Sequence, residues 1–431
     1  MSRTDTAPTQ PLEKRLGRYP WIVAATLAVV YTFNFLDRQF LSVLAEPVRR
    51  DLHLSDTQLG LLTGLMFALF YTGFGIPVAA LADRTNRVRI IAVAYALWSL
   101  FTAACGMATG FGTLALARMG MGIGEAGGSP PSYTLISDYF PPQRRGVALA
   151  IYSLGVPMGT LFGAMSGGLI AAAFGWRVAF IALGAAGLLL APLVLLVVRE
   201  PPRGRYDSAE ARAAPASPVQ ALIAFSRRPE LLFTALSAGL TAFIGYALLN
   251  WTPAFLMREK GMSLREVAIW YALVSGLSAA FGSWASGVLV DRLGKARPAA
   301  YALVPGIAVL ISLPLVLAFI FAPTWPIALA CFVVPGILIQ SYLAPCLAVV
   351  QNAMPPAQRG VAAAFLLFVL NLIGLGGGPV FVGMMSDHFK AQYGVHALKA
   401  ALVSVSPVFL LAFLSQMAAA FYMARHARKQ L

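Results

Sequence analysis

Apolar residues run along the chain in twelve long blocks, each bounded by charge or by clusters of Gly and Pro. They lie at about 20–44, 57–81, 89–109, 113–137, 146–174, 176–198, 230–257, 264–290, 298–321, 325–353, 359–389 and 395–424. Each is long enough for the roughly 20 residues that a helix needs to cross a bilayer. The pattern predicts an all-α integral membrane protein with twelve transmembrane helices. Between the sixth and seventh blocks, residues 199–229 are rich in Arg, Pro, Ala and Ser and read as a linker joining two six-helix halves. The expected organisation is a tail at 1–19, a bundle at 20–198, the linker at 199–229, a second bundle at 230–424 and a tail at 425–431. The polar start of the chain has no cleavable signal pattern, so the first block is expected to be retained as a span.

One polar segment occurs twice. Gly287-Val288-Leu289-Val290-Asp291-Arg292-Leu293-Gly294-Lys295-Ala296-Arg297 is echoed by Ala79-Ala80-Leu81-Ala82-Asp83-Arg84-Thr85-Asn86-Arg87-Val88-Arg89, and both sit between long apolar blocks. Each reads as a tight basic turn, with an acid that can cap the next helix and arginines that stay in water. Asn86 stands where the later copy has Gly294, and Asn best replaces Gly where φ must be positive. Asp83 and Asp291 are 208 residues apart. A second pair, Phe140-Pro141-Pro142-Gln143-Arg144-Arg145-Gly146-Val147-Ala148 and Met354-Pro355-Pro356-Ala357-Gln358-Arg359-Gly360-Val361-Ala362, is 214 apart. Two landmarks at nearly one offset mean an internal duplication.

Composition removes the alternatives to a membrane bundle. The 431 residues are 59% hydrophobic and 11% charged, with a mean hydropathy of +0.75, more apolar surface than a soluble core can hide. A net charge of +15 would suit nucleic acid, but the positive residues lie in short loops, where they set topology instead, so no nucleic-acid partner is expected. With both termini inside, the inner segments hold 22 Lys and Arg and the outer loops eight, which predicts cytoplasmic termini. Cys105, Cys331 and Cys346 fall inside apolar blocks without metal spacing and read as small core residues. His53, His388, His396 and His426 form no metal spacing, so no metal and no cofactor is expected, and a membrane enzyme is disfavoured. No G-x4-G-K-S/T segment is present to bind ATP, and a two-half chain does not supply the symmetric filter of a channel.

Two basic residues, Arg38 and Arg118, are far from any loop, and Asp37 and Glu125 share their position inside apolar blocks. An arginine facing lipid at that depth costs several kcal/mol, so all four must face protein or water. Asp37 lies seven residues from the outer end of the first span and Arg118 five from that of the fourth, roughly 8–10 Å deep at ~1.5 Å per residue. Glu125 is two turns further along the fourth helix on nearly the same face as Arg118. Two acids and two bases at matched depth form either a static staple between two helices or a titratable switch. In the second reading Asp37 is the main proton carrier, Arg38 and Arg118 hold an anionic or zwitterionic head group, and Glu125 competes for the arginines.

The duplicated bundle with a G-x-L-x-D-R-x-G-R/K turn resembles the major facilitator superfamily of secondary transporters. The Asp291 copy fits every position, whereas the Asp83 copy has Ala79 and Asn86 for the glycines. That resemblance implies two pseudo-symmetric six-helix bundles, a monomer, and a conformational latch of Asp83, Arg84, Arg87, Asp291, Arg292 and Lys295 on the cytoplasmic face of the outward-open state. Asn34-Phe35-Leu36-Asp37-Arg38, Arg118-Met119-Gly120-Met121-Gly122-Ile123-Gly124-Glu125-Ala126, Asp83-Arg84-Thr85-Asn86-Arg87 and Tyr152-Ser153-Leu154-Gly155-Val156-Pro157-Met158-Gly159 are similar to segments of the spinster family. That family moves sphingosine phosphate or lysophospholipids. The resemblance implies functional roles for Asn34, Asp37, Arg38, Arg118 and Glu125, protons and a small amphipathic substrate as partners, and residence among lipids of a bacterial cytoplasmic membrane. N-x-x-D-R with G-x-G-E-A also occurs in organic-anion symporters of the superfamily, the alternative reading.

In the second half the candidate cavity groups are Tyr246, Asn250, Gln340 and Asn371, although residues of these types in membrane helices more often make a helix-to-helix hydrogen bond than a ligand contact. No ionisable residue occupies the deep middle of spans seven to twelve if Asp387 and His388 lie at the end of the eleventh. A charged wall facing an apolar one suits a substrate with a head and a tail. Gly155, Gly159, Gly163 and Gly167 recur every fourth residue along the fifth span and predict close helix packing, and Pro130-Pro131 predicts an interruption just after Glu125.

Overall fold

The computed structural model describes residues 17–206, 218–294, 299–355 and 358–430, without the side chains of Ile76, Asp83, Asp291 and residues 426–430. Lys295 and the middle of the linker lie outside the described residues. Among the described residues, twelve rods of helix cross the molecule. The first is Arg18–Val43, the third Arg87–Gly106, the sixth Trp176–Val197, the seventh Pro229–Glu259 and the ninth Ala300–Phe321. The others run over 56–84, 111–139, 142–174, 264–294, 325–353, 359–393 and 397–430, with local breaks. The fourth rod breaks between Phe111–Ala126 and Ser129–Tyr139, beside Pro130-Pro131, and the tenth between Trp325–Ile339 and Leu343–Ala353. A proline removes one backbone donor and clashes with the preceding turn, so the helix restarts.

The duplication is written into the local structure. The second and eighth spans open on capping boxes at Ser55/Gln58 and Ser263/Glu266, in which each serine hydroxyl accepts from the third backbone N–H. Each then widens into a π-helical turn, Leu61–Leu65 and Val267–Tyr271. Arg145 and Arg359 repeat each other too, donating to Phe140 O and Met354 O at 3.1 Å, the last carbonyls of the preceding helices. Ser42 meets Asn250 at 2.7 Å, 208 residues on, so equivalent positions of the repeat touch where the halves join.

Two expectations for the basic turns are corrected. The cap on the third span is Asn86, whose side chain accepts from Arg89 N at 2.9 Å, while Asp83 lies within Met66–Arg84 and Asp291 within Ala272–Gly294. Asn86 has φ −70°, an extended N-cap conformation rather than the left-handed one expected from its place opposite a glycine. Arg87 turns inward and joins Asp138 of its own half at 2.6 Å and Glu200 at the start of the linker at 2.7 Å. Arg84 and Arg292 are exposed. The linker is not all coil, since Pro218–Ser226 is a helix that buries Ala221 and Phe225, the latter edge-on to Phe365 at 5.1 Å.

The glycine stripe of the fifth span packs as expected. A Cβ on Gly159 would lie 2.5 Å from Thr32 O, and one on Gly163 would fall on Leu36 O, so the first and fifth spans touch backbone to backbone. The same device shuts one end of the joint between the halves. A Cβ on Gly60 would lie 2.5 Å from Pro379 O, and one on Gly383 would fall on Asp56 O. At the other end of the rods, added carbons at Gly73, Gly75, Gly146, Gly287 and Gly360 would meet nothing within 4 Å. The halves are pressed together at the end that carries residues 44–56 and stand apart at the end that carries the basic turns.

Candidate functional site

The first and fourth spans bring the four intramembrane charges together as two ion pairs. Arg38 Nε and Nη2 donate to Glu125 Oε1 at 3.0 and 2.5 Å, and Arg118 Nη1 donates to Asp37 Oδ2 at 3.3 Å. Asp37, Arg118 and Glu125 are buried, whereas the Arg38 side chain keeps 12% of its surface, so it is the member of the set with access to solvent. Burial of this kind persists only with pairing, because an unpaired charge in low dielectric is strongly disfavoured.

Neighbouring helices complete the coordination. The π-helical turn Leu61–Leu65 widens the backbone of the second span, and Arg118 Nε takes Leu62 O there at 3.1 Å. Phe35, Phe67 and Tyr71 surround the Arg38 guanidinium, with ring centroids 4.8, 4.9 and 5.1 Å from Cζ. Aromatic faces stabilise a cation by their quadrupole, and most strongly where water is excluded. Phe35 continues into Tyr31, which stacks on Tyr152 at 4.4 Å, and Tyr133 meets Tyr152 edge-on at 5.2 Å. Reading charge alone missed this aromatic lining. Its signal was the recurrence of Tyr and Phe at helical spacing on the first and second spans.

The acids are only half used. Asp37 Oδ1 and Glu125 Oε2 are buried and receive no hydrogen bond from a described residue, and the same holds for Asn34 Oδ1. A buried carboxylate oxygen without a donor is costly. The cluster thus forms two ion pairs, with one carboxylate oxygen of each acid left without a donor among the described residues.

The candidates of the second half divide. Asn250 is buried and spends its amide on Ser42 and on Tyr246 O at 2.8 Å, so it is a helix-to-helix hydrogen bond. Tyr246 packs with Phe67, Ala68, Tyr71 and Leu375 and so reaches the aromatic ring set around Arg38 from the opposite half. Gln340 sits at the break of the tenth span and Asn371 at the start of the π-helical turn Asn371–Gly377. Both are half-buried, and neither bonds to the four charges.

A second charge cluster was not anticipated. Arg258, expected in an outer loop, lies in the last turn of Pro229–Glu259 and crosses between the halves to Glu46 Oε2 at 2.6 Å and to both oxygens of Asp56 at 2.8 and 2.9 Å. Asp387, at the same end of the eleventh span, accepts the backbone N–H groups of Asp56 and Thr57 at 3.2 and 2.7 Å and so caps the second span from the other half. Ser386 adds a hydroxyl to Asp56 Oδ2 at 2.6 Å. The sequence carried a signal for this, since Arg50 and Arg258 occupy equivalent places in the repeat and Glu46 and Asp56 flank the first of them. Hydrogen bonds and ion pairs between described residues of the two halves lie at this end or at Ser42 and Asn250.

Against known proteins, the model of the Major Facilitator Superfamily matches residues 27–319. An MFS-type efflux pump of Mycolicibacterium smegmatis is 36% identical over 397 residues, 92% of this chain and 91% of that one. A hexuronate transporter of Bacillus subtilis is 28% identical over 406 residues, 92% of this chain and 94% of the relative. Among solved structures, a bacterial homolog to the human lysosomal transporter spinster, in an inward-facing and unoccupied conformation, is 33% identical with a TM-score of 0.83, covering 95% of this chain and 97% of that one.

Proposed function

The chain belongs to the Major Facilitator Superfamily, with kinship to the spinster homologues, and on that premise we propose that it is a proton-coupled transporter of an amphipathic anion or zwitterion of the lysophospholipid or sphingosine phosphate type. The superfamily is one of transporters and not of enzymes. The observation that carries the reading is the pairing of Arg38 with Glu125 and Arg118 with Asp37 in one half, opposite a half whose facing groups are aromatic and apolar. The head group displaces Glu125 from Arg38, the accessible arginine, and the tail lies against the apolar half. Release of a carboxylate from its arginine raises its affinity for a proton, which couples substrate to proton at Glu125 and, through Arg118, at Asp37.

The closed end carrying Arg258 is the outer one in this reading, the termini are cytoplasmic, and the structure is the inward-facing state. The likeness to the inward-facing spinster homolog supports that assignment. In the opposite state Asp83, Arg84 and Arg87 with Asp291, Arg292 and Lys295 latch the cytoplasmic end. The protein acts as a monomer in a bacterial cytoplasmic membrane. The hexuronate transporter among the relatives favours a second reading, a proton-coupled organic-anion symporter that uses the same arginines.

The test is binding of a lysophospholipid or sphingosine phosphate to purified protein from pH 5 to 8, for the wild type and Asp37→Asn. Affinity that varies with pH in the wild type and is flat in the variant is the expected result. Lipid binding that is undetectable at every pH overturns the lipid reading and moves the assignment to the organic anion.

A further inference from the structure

The closed end holds a space that transport through the centre does not use. Between the helix Ala45–Asp51 of the N-terminal half and the junction of the seventh and eighth spans lies an open-mouthed cavity of about 430 Å3. Glu46, Pro47 and Arg50 line it from one half, and Met257, Met262, Ser263 and Leu264 from the other. Glu46 is already saturated: Oε1 accepts from Arg49 and Arg50, and Oε2 from Arg49 and Arg258. Arg50 is therefore the dispensable partner. It contributes Nε at 2.6 Å, its terminal nitrogens make no hydrogen bond with a described residue, and its side chain is 69% exposed.

A guanidinium with its terminal edge free matches the two-oxygen face of a carboxylate, sulfonate or phosphate. Across the cavity the thioethers of Met257 and Met262 and the side chain of Leu264 offer apolar surface that adapts its shape to a bound chain. We propose that this cavity is a second ligand site, separate from the central arginines, which takes a small amphipathic anion: the acid head on Arg50, a short apolar body against Met257, Met262 and Leu264. Both halves line the site, so it exists only while this end is shut. A ligand that binds one state alone shifts the population towards it, so occupancy here holds the end closed and inhibits the transport cycle.

The probe is hexyl phosphate, applied to the full chain in nanodiscs. The readout is the rate at which a charged methanethiosulfonate modifies Leu264→Cys, in a chain that also carries Cys331→Ala. Hexyl phosphate is expected to slow modification at least tenfold at saturation, with inorganic phosphate and hexanol at least tenfold weaker as protectants. Arg50→Gln is expected to raise the half-protecting concentration about tenfold, and Met257→Trp to abolish protection by filling the cavity without touching charge. Arg38→Gln is expected to leave protection unchanged. Absence of protection, equal protection by hexanol or by phosphate, or insensitivity to both Arg50→Gln and Met257→Trp overturns the proposal. So does a loss of protection in Arg38→Gln, which assigns the effect to the central site.

Discussion

Two buried charge clusters use the same chemistry for different ends. At the centre, Asp37, Arg38, Arg118 and Glu125 all belong to the first and fourth spans, so both ion pairs close within one half. At the shut end, Glu46 and Asp56 come from one half and Arg258 and Asp387 from the other. When two halves rock as bodies, pairs inside a body keep their partners and pairs between bodies lose them. The energy of the central cluster therefore adds to the stability of the N-terminal half, and that of the end cluster adds to the preference for one conformation. The number of buried salt bridges says nothing of this; the location of each partner does.

Arg258→Gln gives the sharpest test of that division. It leaves Asp56 with Arg49 at 3.9 Å and Glu46 with Arg49 and Arg50, all from their own half, and loss of one partner of a buried pair costs about 3–5 kcal/mol at most. With Arg258 15% exposed, about 3 kcal/mol remains, roughly a hundredfold shift of population towards an open end. Spin labels at the exposed positions Asp51 and Val395 should report a longer distance; an unchanged distance breaks the comparison. Arg118→Gln makes a slightly smaller change at the centre, since Arg118 to Asp37 is the longer contact at 3.3 Å. It should lower the unfolding stability by about 2–3 kcal/mol and leave the label distance where it was. Adding Asp37→Asn should recover about 1 kcal/mol, because it removes the orphaned charge.

These sites were unequally legible. The duplication, the twelve spans and the central four charges follow from the sequence because each is a conflict between a residue and its surroundings: an arginine in an apolar block, or one motif at two places. The end cluster presents no such conflict. Arg258, Glu46 and Asp56 stand where water would satisfy them, and only packing of the halves reveals that they are desolvated. The basic turns misled for the opposite reason. Asp83 and Asn86 have the chemistry of a cap and of a left-handed turn, and a three-residue shift in where the helix stops passed the cap to Asn86 with ordinary φ. The π-helical turn that hands Leu62 O to Arg118 leaves no mark in apolar periodicity at all.

Glycine contacts repeat the comparison without charge. Gly163 packs the fifth span onto Leu36 within one half, while Gly383 packs the eleventh span onto Asp56 of the other. Overpacking a tight backbone contact costs about 1–3 kcal/mol. Gly163→Ala should reduce the thermal stability of the fold by about 2 kcal/mol with the label distance unchanged. Gly383→Ala should lengthen that distance by favouring the open end while leaving unfolding nearly unaffected. A common effect of both variants on stability alone would mean that the halves do not separate at this end.

Acidification separates the clusters by the smallest effect. Burial raises the affinity of Glu46 for a proton, but the guanidinium groups of Arg49, Arg258 and Arg50 outweigh it and hold the carboxyl at about 2 against an ordinary 4.5. A depressed carboxyl contributes stability that is complete above about 4.5 and is lost as pH falls through about 2. Arg49 and Arg50 sit on the same short helix as Glu46 and travel with it, so opening removes only the Arg258 share. His396, 2.8 Å from Glu259, also keeps its partner, because both belong to the C-terminal half. The label distance at the shut end should therefore stay constant from pH 8 to 5 in the double variant Asp37→Asn/Glu125→Gln and lengthen slightly only below about 4. In the wild type, a change between pH 8 and 5 that is lost when both central acids are neutralised, Asp37→Asn with Glu125→Gln, originates at the central carboxyls, each of which has an oxygen without a donor among the described residues. A pH-dependent distance that survives in the double variant Asp37→Asn/Glu125→Gln would place the titrating group at the end joint, near His53, Asp387 or His388, and reverse the roles assigned to the two clusters.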